Sequence, residues 1–194
     1  NLERENLLGK LNEGKIFCLL KQAFIHARHH TNEKVIEKLI ESWRVYTKAN
    51  LNTMLTREVF SMIREISESF PLESEALKFV QKFENENPTH KDSQDISELM
   101  SLLFSFKTDQ KKAIEFYEKL VSISEKFENK IDIKSFSVLS LANCHEALQK
   151  YEQAMNLYQE NAEFCYQEKQ YDAFVASKMN ACRLVMNKKN REEG

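Results

Sequence analysis

Along the chain apolar residues return at spacings of three and four, the period of an amphipathic helix, and no segment of four or more residues alternates convincingly as a strand does. Ile16, Leu20, Ala23, Phe24 and Ala27 make a first stripe. Val35, Ile36, Leu39, Ile40, Trp43 and Tyr46 make a second, with Thr31 or Asn32 placed to cap it. Val59, Phe60, Ile63, Ile66 and Phe70 follow behind Thr56 and stop at Pro71. Ala76, Leu77, Val80 and Phe83 then run into Asn85-Glu86-Asn87-Pro88, where proline turns its predecessor away from helix. Residues 84–92 are the clearest loop and the natural subdomain boundary.

Beyond that loop the stripes are denser. Ile96, Leu99, Met100, Leu103 and Phe106 stand behind Asp92 or Ser93. Ala113, Phe116, Tyr117, Leu120 and Phe127 stand behind Thr108 or Asp109, and Phe136, Leu139, Ala142 and Leu148 behind Asp132. Tyr151, Ala154, Met155, Tyr158, Ala162 and Cys165 continue the pattern, and Tyr171, Phe174, Val175, Met179, Cys182 and Val185 close it. Several stripes carry extra apolar positions, such as Leu141 and Cys144, which suits helices covered on more than one side. The pattern predicts an all-α chain of eight or nine helices, about 12–18 residues each, joined by short turns.

Composition narrows the fold further. The 194 residues include only 3 Gly and 2 Pro, and from Lys15 to Glu193 there is no glycine. Phosphate-binding loops, dinucleotide fingerprints and nucleophile elbows need glycine at sharp turns, so these sites are excluded. Hydrophobic residues at 42% are too many for a disordered chain. The net charge of −2 draws neither nucleic acid nor anionic lipid. The longest apolar run, Ile16 to Leu20, is far below the ~20 residues of a membrane span. Cys18, Cys144, Cys165 and Cys182 form no CxxC pair and read as core residues of a reducing cytoplasmic or nuclear compartment. The chain opens on Asn rather than Met, as a piece of a longer protein would.

Self-similarity decides between a bundle and an array. Ala113-Ile114-Glu115-Phe116-Tyr117-Glu118 aligns with Ala154-Met155-Asn156-Leu157-Tyr158-Gln159 at an offset of 41 residues. Lys150-Tyr151-Glu152 echoes Gln170-Tyr171-Asp172. On Tyr151, Ala154 and Tyr158, and on Ala113 and Tyr117, the chain resembles a tetratricopeptide (TPR) array over about residues 95–187. The run Tyr151–Val185 also resembles the helix-pair repeats of the SNAP vesicle-fusion adaptors. The usual repeat is 34 residues, so this would be a long-repeat variant. Ser101 and Ala142 stand where the family has its first-helix glycine, and Leu120 and Asn161 where it has a second small residue.

The resemblance implies a right-handed α-α superhelix of antiparallel helix pairs over 92–187. Residues 1–87 would form either degenerate repeats or a separate helical bundle, and 188–194 a basic tail. It further implies a protein-interaction scaffold or adaptor whose first helices line a groove for a partner's peptide or amphipathic helix. The groove positions would be Asp95, Glu98, Leu102, Ser105 and Phe106, then Phe136, Leu139, Asn143, Glu146 and Ala147. Asp95, Glu98 and Glu146 would repel an acidic peptide tail, so an amphipathic or basic helix suits the groove better.

Little else carries chemistry. His26 and His30 have a two-ligand metal spacing, but no third ligand or HExxH glutamate accompanies them. Cys144 and His145, being adjacent, point in different directions on a helix. Glu65, Glu68, Glu73 and Glu75 read as solvated, and Lys188-Lys189-Asn190-Arg191 as an ordinary basic helix end. The expectation is a binding protein with no catalytic role, cofactor, metal or small-molecule substrate. The alternatives are a nucleic-acid-associated module, if the basic residues of 21–48 and the tail shared one face, or a structural subunit of a larger complex.

Overall fold

With glycine scarce and proline at only two positions, little interrupts helical hydrogen bonding along this backbone. A computed structural model describes residues 2–49, 53–105 and 109–192. Among the described residues there are nine α-helices, two short 3-10 segments and no strand. The chain divides into two compact units, Asn1–Phe79 with Ser101–Thr108, and Val80–Met100 with Asp109–Gly194.

In the first unit, α1 (Leu2–Arg28) packs on α2 (Asn32–Lys48) and α3 (Thr53–Ser69). The expected stripes supply the core: Ile16, Leu20, Val35, Leu39 and Ile63 are fully buried. Trp43 and Tyr46 of α2 meet Phe60 of α3 edge-on at 6.0 and 5.7 Å. Removing a side chain such as Leu39 here costs about 2–5 kcal/mol. Pro71 ends α3 and its carbonyl accepts the Glu75 N–H, the first bond of α4 (Leu72–Gln81). Glu73, expected to be solvated, is buried in the first turn of α4, where a carboxylate suits the positive end of the helix dipole.

In the second unit helices pack in chain order. α6 (Gln110–Ile123) lies on α7 (Lys130–Ala147), α7 on α8 (Tyr151–Gln167), and α8 on α9 (Tyr171–Glu192). α9 also touches α7. The 3-10 segment Lys82–Glu84 is held by Lys126, whose ammonium donates to the Phe83 and Glu84 carbonyls at 2.8 and 2.7 Å, and by a Lys119–Glu84 ion pair. α9 continues the helix to Glu192, through the first part of the expected tail. Three helices depart from the expected length: α1 has 27 residues, α9 has 22 and α4 has 10.

Several caps differ from expectation. α5 (His90–Ser105) starts before Asp92 and Ser93 because Thr89 caps it. The Asp92 N–H donates to the Thr89 hydroxyl at 3.2 Å, and the Thr89 N–H to the Asp92 carboxylate at 2.9 Å, a reciprocal capping box. Asp109 does cap α6, accepting from the Lys111 and Lys112 amides at 3.0 and 3.3 Å. Thr31 precedes α2, but its hydroxyl turns back to the His26 carbonyl and ring. Thr56 falls inside α3, its side chain outside the described residues. Asp132 lies one turn into α7; Asn129 precedes that helix and spends its amide on Ser97 at 2.7 Å.

Among the described residues one turn occurs three times. His30, Gln149 and Lys169 adopt left-handed backbone with φ of 54°, 61° and 60°. In each, the next residue's N–H bonds back five positions: Thr31 to His26, Lys150 to His145, and Gln170 to Cys165. These paired bonds close Schellman motifs, which normally take glycine at the left-handed position. The Lys150-Tyr151-Glu152 and Gln170-Tyr171-Asp172 echo is thus a repeated turn that starts α8 and α9 alike.

Candidate functional site

The two tyrosines of the internal repeat are both buried, and both point back to the helix before them. The Tyr117 hydroxyl reaches the Met100 carbonyl of α5 at 3.5 Å. The Tyr158 hydroxyl lies between two acceptors of α7, Asn143 Oδ1 at 2.7 Å and Glu146 Oε2 at 2.9 Å. Arg183 of α9 closes on the same carboxylate through both guanidinium nitrogens, at 2.6 and 2.7 Å. Burial, reinforced by the Glu146 hydrogen bond and charge, pushes the Tyr158 phenol far above its ordinary value, against the opposing Arg183 charge. The Glu146 hydrogen bond is also the main reason the Arg183 guanidinium is held more firmly protonated than usual.

Around this cluster the helices approach through small residues. Ala142, Ala154, Tyr158, Ala181 and Leu184 form one buried cluster, with Leu139, Tyr151, Met155 and Leu157 packed against it. Ser135 meets Cys165 at 3.0 Å between α7 and α8. Burial raises the Cys165 thiol above its usual value, which suits packing rather than nucleophilic chemistry. Asn161, which stands where a small residue was expected, is buried and donates to Ser177 of α9 at 2.9 Å. The crossing is made by a polar pair instead of a close small–small contact.

The sequence-derived groove residues disperse. Asp95 and Glu98 are half-buried on α5, and Phe136 is half-buried on α7. Leu102 is fully buried and belongs to the core. Ser105 is exposed, with its hydroxyl on the Ser101 carbonyl at 2.9 Å. Phe106 lies outside the described residues. Leu139 packs on the α7–α8–α9 cluster, and Asn143 and Glu146 are engaged by Tyr158 and Arg183. Glu146 is therefore not an open negative charge, which weakens its expected repulsion of an acidic peptide. Ala147 is exposed.

The histidine cluster does not keep its helical spacing, because α1 ends at Arg28 and His30 sits in the left-handed turn. No group of three or more His, Cys, Asp or Glu is arranged for a metal ion among the described residues. Burial, with Lys150 nearby, lowers the His145 imidazole below its ordinary value, while Glu118 opposes the shift. No helix among the described residues is long and apolar enough to cross a membrane.

Among the described residues are two open grooves. One of about 290 Å³ lies between Phe24 and Ile25 of α1 and Met62 and Ile66 of α3. A larger one of about 980 Å³ runs from the Gln149–Lys150 turn past Tyr151 and Met155 to Leu184 and Val185.

Sequence reasoning also misplaced residues of α9. Its apolar stripe was expected to be core, yet Val175, Met179 and Val185 are 49%, 67% and 57% exposed, and Cys182 is exposed too. The helix instead buries Ser177, Ala181 and Leu184. Small and polar residues face α8, so hydrophobicity alone pointed to the wrong side.

No family model matches the chain, and no curated protein or solved structure matches it either.

Proposed function

We propose that this chain is a protein-interaction scaffold, a stack of antiparallel helix pairs of the TPR-like superhelical kind, which binds a helix or peptide of a partner and performs no catalytic step. The observation that carries the reading is the repetition across α6–α9. Tyr117 and Tyr158, 41 residues apart, are both buried and both reach back to the preceding helix. The α7–α8 and α8–α9 turns also share one geometry. Such units cannot bury their apolar faces alone, and stacking leaves long surfaces for partners. Asp95, Glu98 and Phe136 remain the candidate groove residues on first helices.

The test is capture on the immobilised chain, with retained proteins identified by mass spectrometry. Asp95→Lys combined with Glu98→Lys should reduce recovery of a specific partner about tenfold while helicity is unchanged, a loss of about 1.4 kcal/mol. Recovery that survives this double variant removes the first-helix groove from the reading. Failure to retain any protein above an unrelated helical control removes the scaffold reading itself.

A further inference from the structure

The register of α7 and α9 makes a comparison within one molecule. Ser137, Leu141 and Cys144 are buried on α7; forty residues on, Ser177, Ala181 and Leu184 are buried on α9, where Ser177 bonds to Asn161 of α8. On α9 these residues face α8, which precedes it; on α7, which packs against α6, the same register positions are buried. A different face of α7 receives α8: Ser135 meets Cys165, Leu139 and Ala142 pack in the shared cluster, and Glu146 binds Tyr158. Forty residues on from these four stand Val175, Met179, Cys182 and Met186. All four are exposed, and Tyr171 extends the same line at 58% exposure. Four of these five are large apolar side chains on one helical face about 22 Å long, more than scattered surface hydrophobes require.

We propose that this seam takes an amphipathic α-helix of a partner protein, laid antiparallel along α9 in the place that α8 takes on α7. The proposal rests on the scaffold reading and names the surface and the ligand chemistry. Cys182 stands where Ala142 does, so the crossing is narrow and a large side chain lies over it as Tyr158 lies over Ala142. That side chain carries no hydroxyl, because Met186 replaces Glu146 and Arg183, in the place of Asn143, is already bound to Glu146. A buried hydroxyl without an acceptor is costly. The partner helix therefore presents phenylalanine or an aliphatic residue at this point.

The probe is a fluorescein-labelled peptide of residues 151–167 carrying Tyr158→Phe. A lactam between Asn156→Lys and Glu160, both exposed on α8, holds it helical. Fluorescence anisotropy with the full chain should show saturable binding, roughly threefold weaker for the peptide that retains Tyr158. Met179→Glu or Val175→Lys in the chain should weaken it at least about tenfold, and Asp95→Lys with Glu98→Lys should leave it unchanged. Both seam positions are exposed, so an unaltered far-UV spectrum is required of each variant. Absence of saturable binding, or equal binding to Met179→Glu, overturns the proposal. A chain that sediments as a dimer and becomes a monomer on Met179→Glu also overturns it, since a second copy is then the occupant. If a captured partner is retained by Met179→Glu while the peptide fails, the scaffold reading stands and only the seam falls.

Discussion

Tyr158 and Tyr117 occupy matching places in the repeat, but their hydroxyls do different amounts of work. Tyr158 presents its one proton to an amide oxygen and a carboxylate, and hydrogen bonds to charged acceptors are the stronger kind. The Tyr117 hydroxyl meets the Met100 carbonyl at 3.5 Å, the outer limit of a hydrogen bond. Tyr158→Phe should therefore destabilise the chain by about 1–2 kcal/mol, and Tyr117→Phe by less than about 0.5 kcal/mol. Urea midpoints at unchanged slope measure both; equal losses would mean that the α7–α8–α9 polar cluster contributes no stability. The repeated A-x-x-x-Y spacing was readable in the sequence because alanine and tyrosine are chemically distinctive. The Glu146–Arg183 contact was not, because it joins residues on α7 and α9 that are neighbours only after α8 has turned the chain back.

Helices announce their existence through periodicity more clearly than their ends through composition. The stripes of α2 and α7 stand near the expected places, while Thr31 and Asn129 show that a capping residue can spend its side chain elsewhere. At α5 the box is real, and its acid dependence follows. Burial raises the Asp92 carboxyl, but the Thr89 amide and hydroxyl bonds and the Lys82 ammonium outweigh it, leaving the group below its ordinary 3.8. A depressed carboxyl stabilises the fold fully above the unfolded value and loses that contribution as pH falls through the folded value. The stability gap between wild type and Asp92→Asn, about 1 kcal/mol near neutral pH, should close on acidification below 3.8; a gap independent of pH would show that charge is irrelevant to this cap. Glycine placement gives a second test. Gln149 and Lys169 are exposed residues held at positive φ, whereas Gly14 sits inside α1 with nothing near an added Cβ. Gln149→Gly and Lys169→Gly should each stabilise by about 0.5–1 kcal/mol, because the left-handed conformation costs a side chain more than it costs glycine. Gly14→Ala should gain a similar amount from helix propensity. Thermal midpoints decide both, and a fall at either turn would show that its side chain contributes more than its backbone loses.

The four cysteines report on how the protein holds together as a molecule. The sequence expectation treated all four as core, because cysteine on an apolar stripe behaves as a small hydrophobe. Cys144 and Cys165 are buried, but Cys18 and Cys182 are exposed. For Cys182 the reason is physical: α9 spends its small and polar residues on α8 and leaves its apolar stripe outward, and periodicity marks a stripe without saying what covers it. Native chain should therefore show two fast thiols and two slow ones with a water-soluble disulfide reagent. Both slow thiols lie in the second unit and report on α7 and α8, which Ser135–Cys165, Ala142 and Tyr158 join along their length. Their labelling should then proceed at one common rate set by the opening of that unit, and urea should raise both rates together. Cys144 reacting about tenfold faster than Cys165 would mean that the two halves of this pair open independently. Cys182 also provides an internal check on the α9 seam. If a helix docks there, saturating the lactam-bridged peptide should slow Cys182 at least about tenfold while Cys18, on α1, keeps its rate.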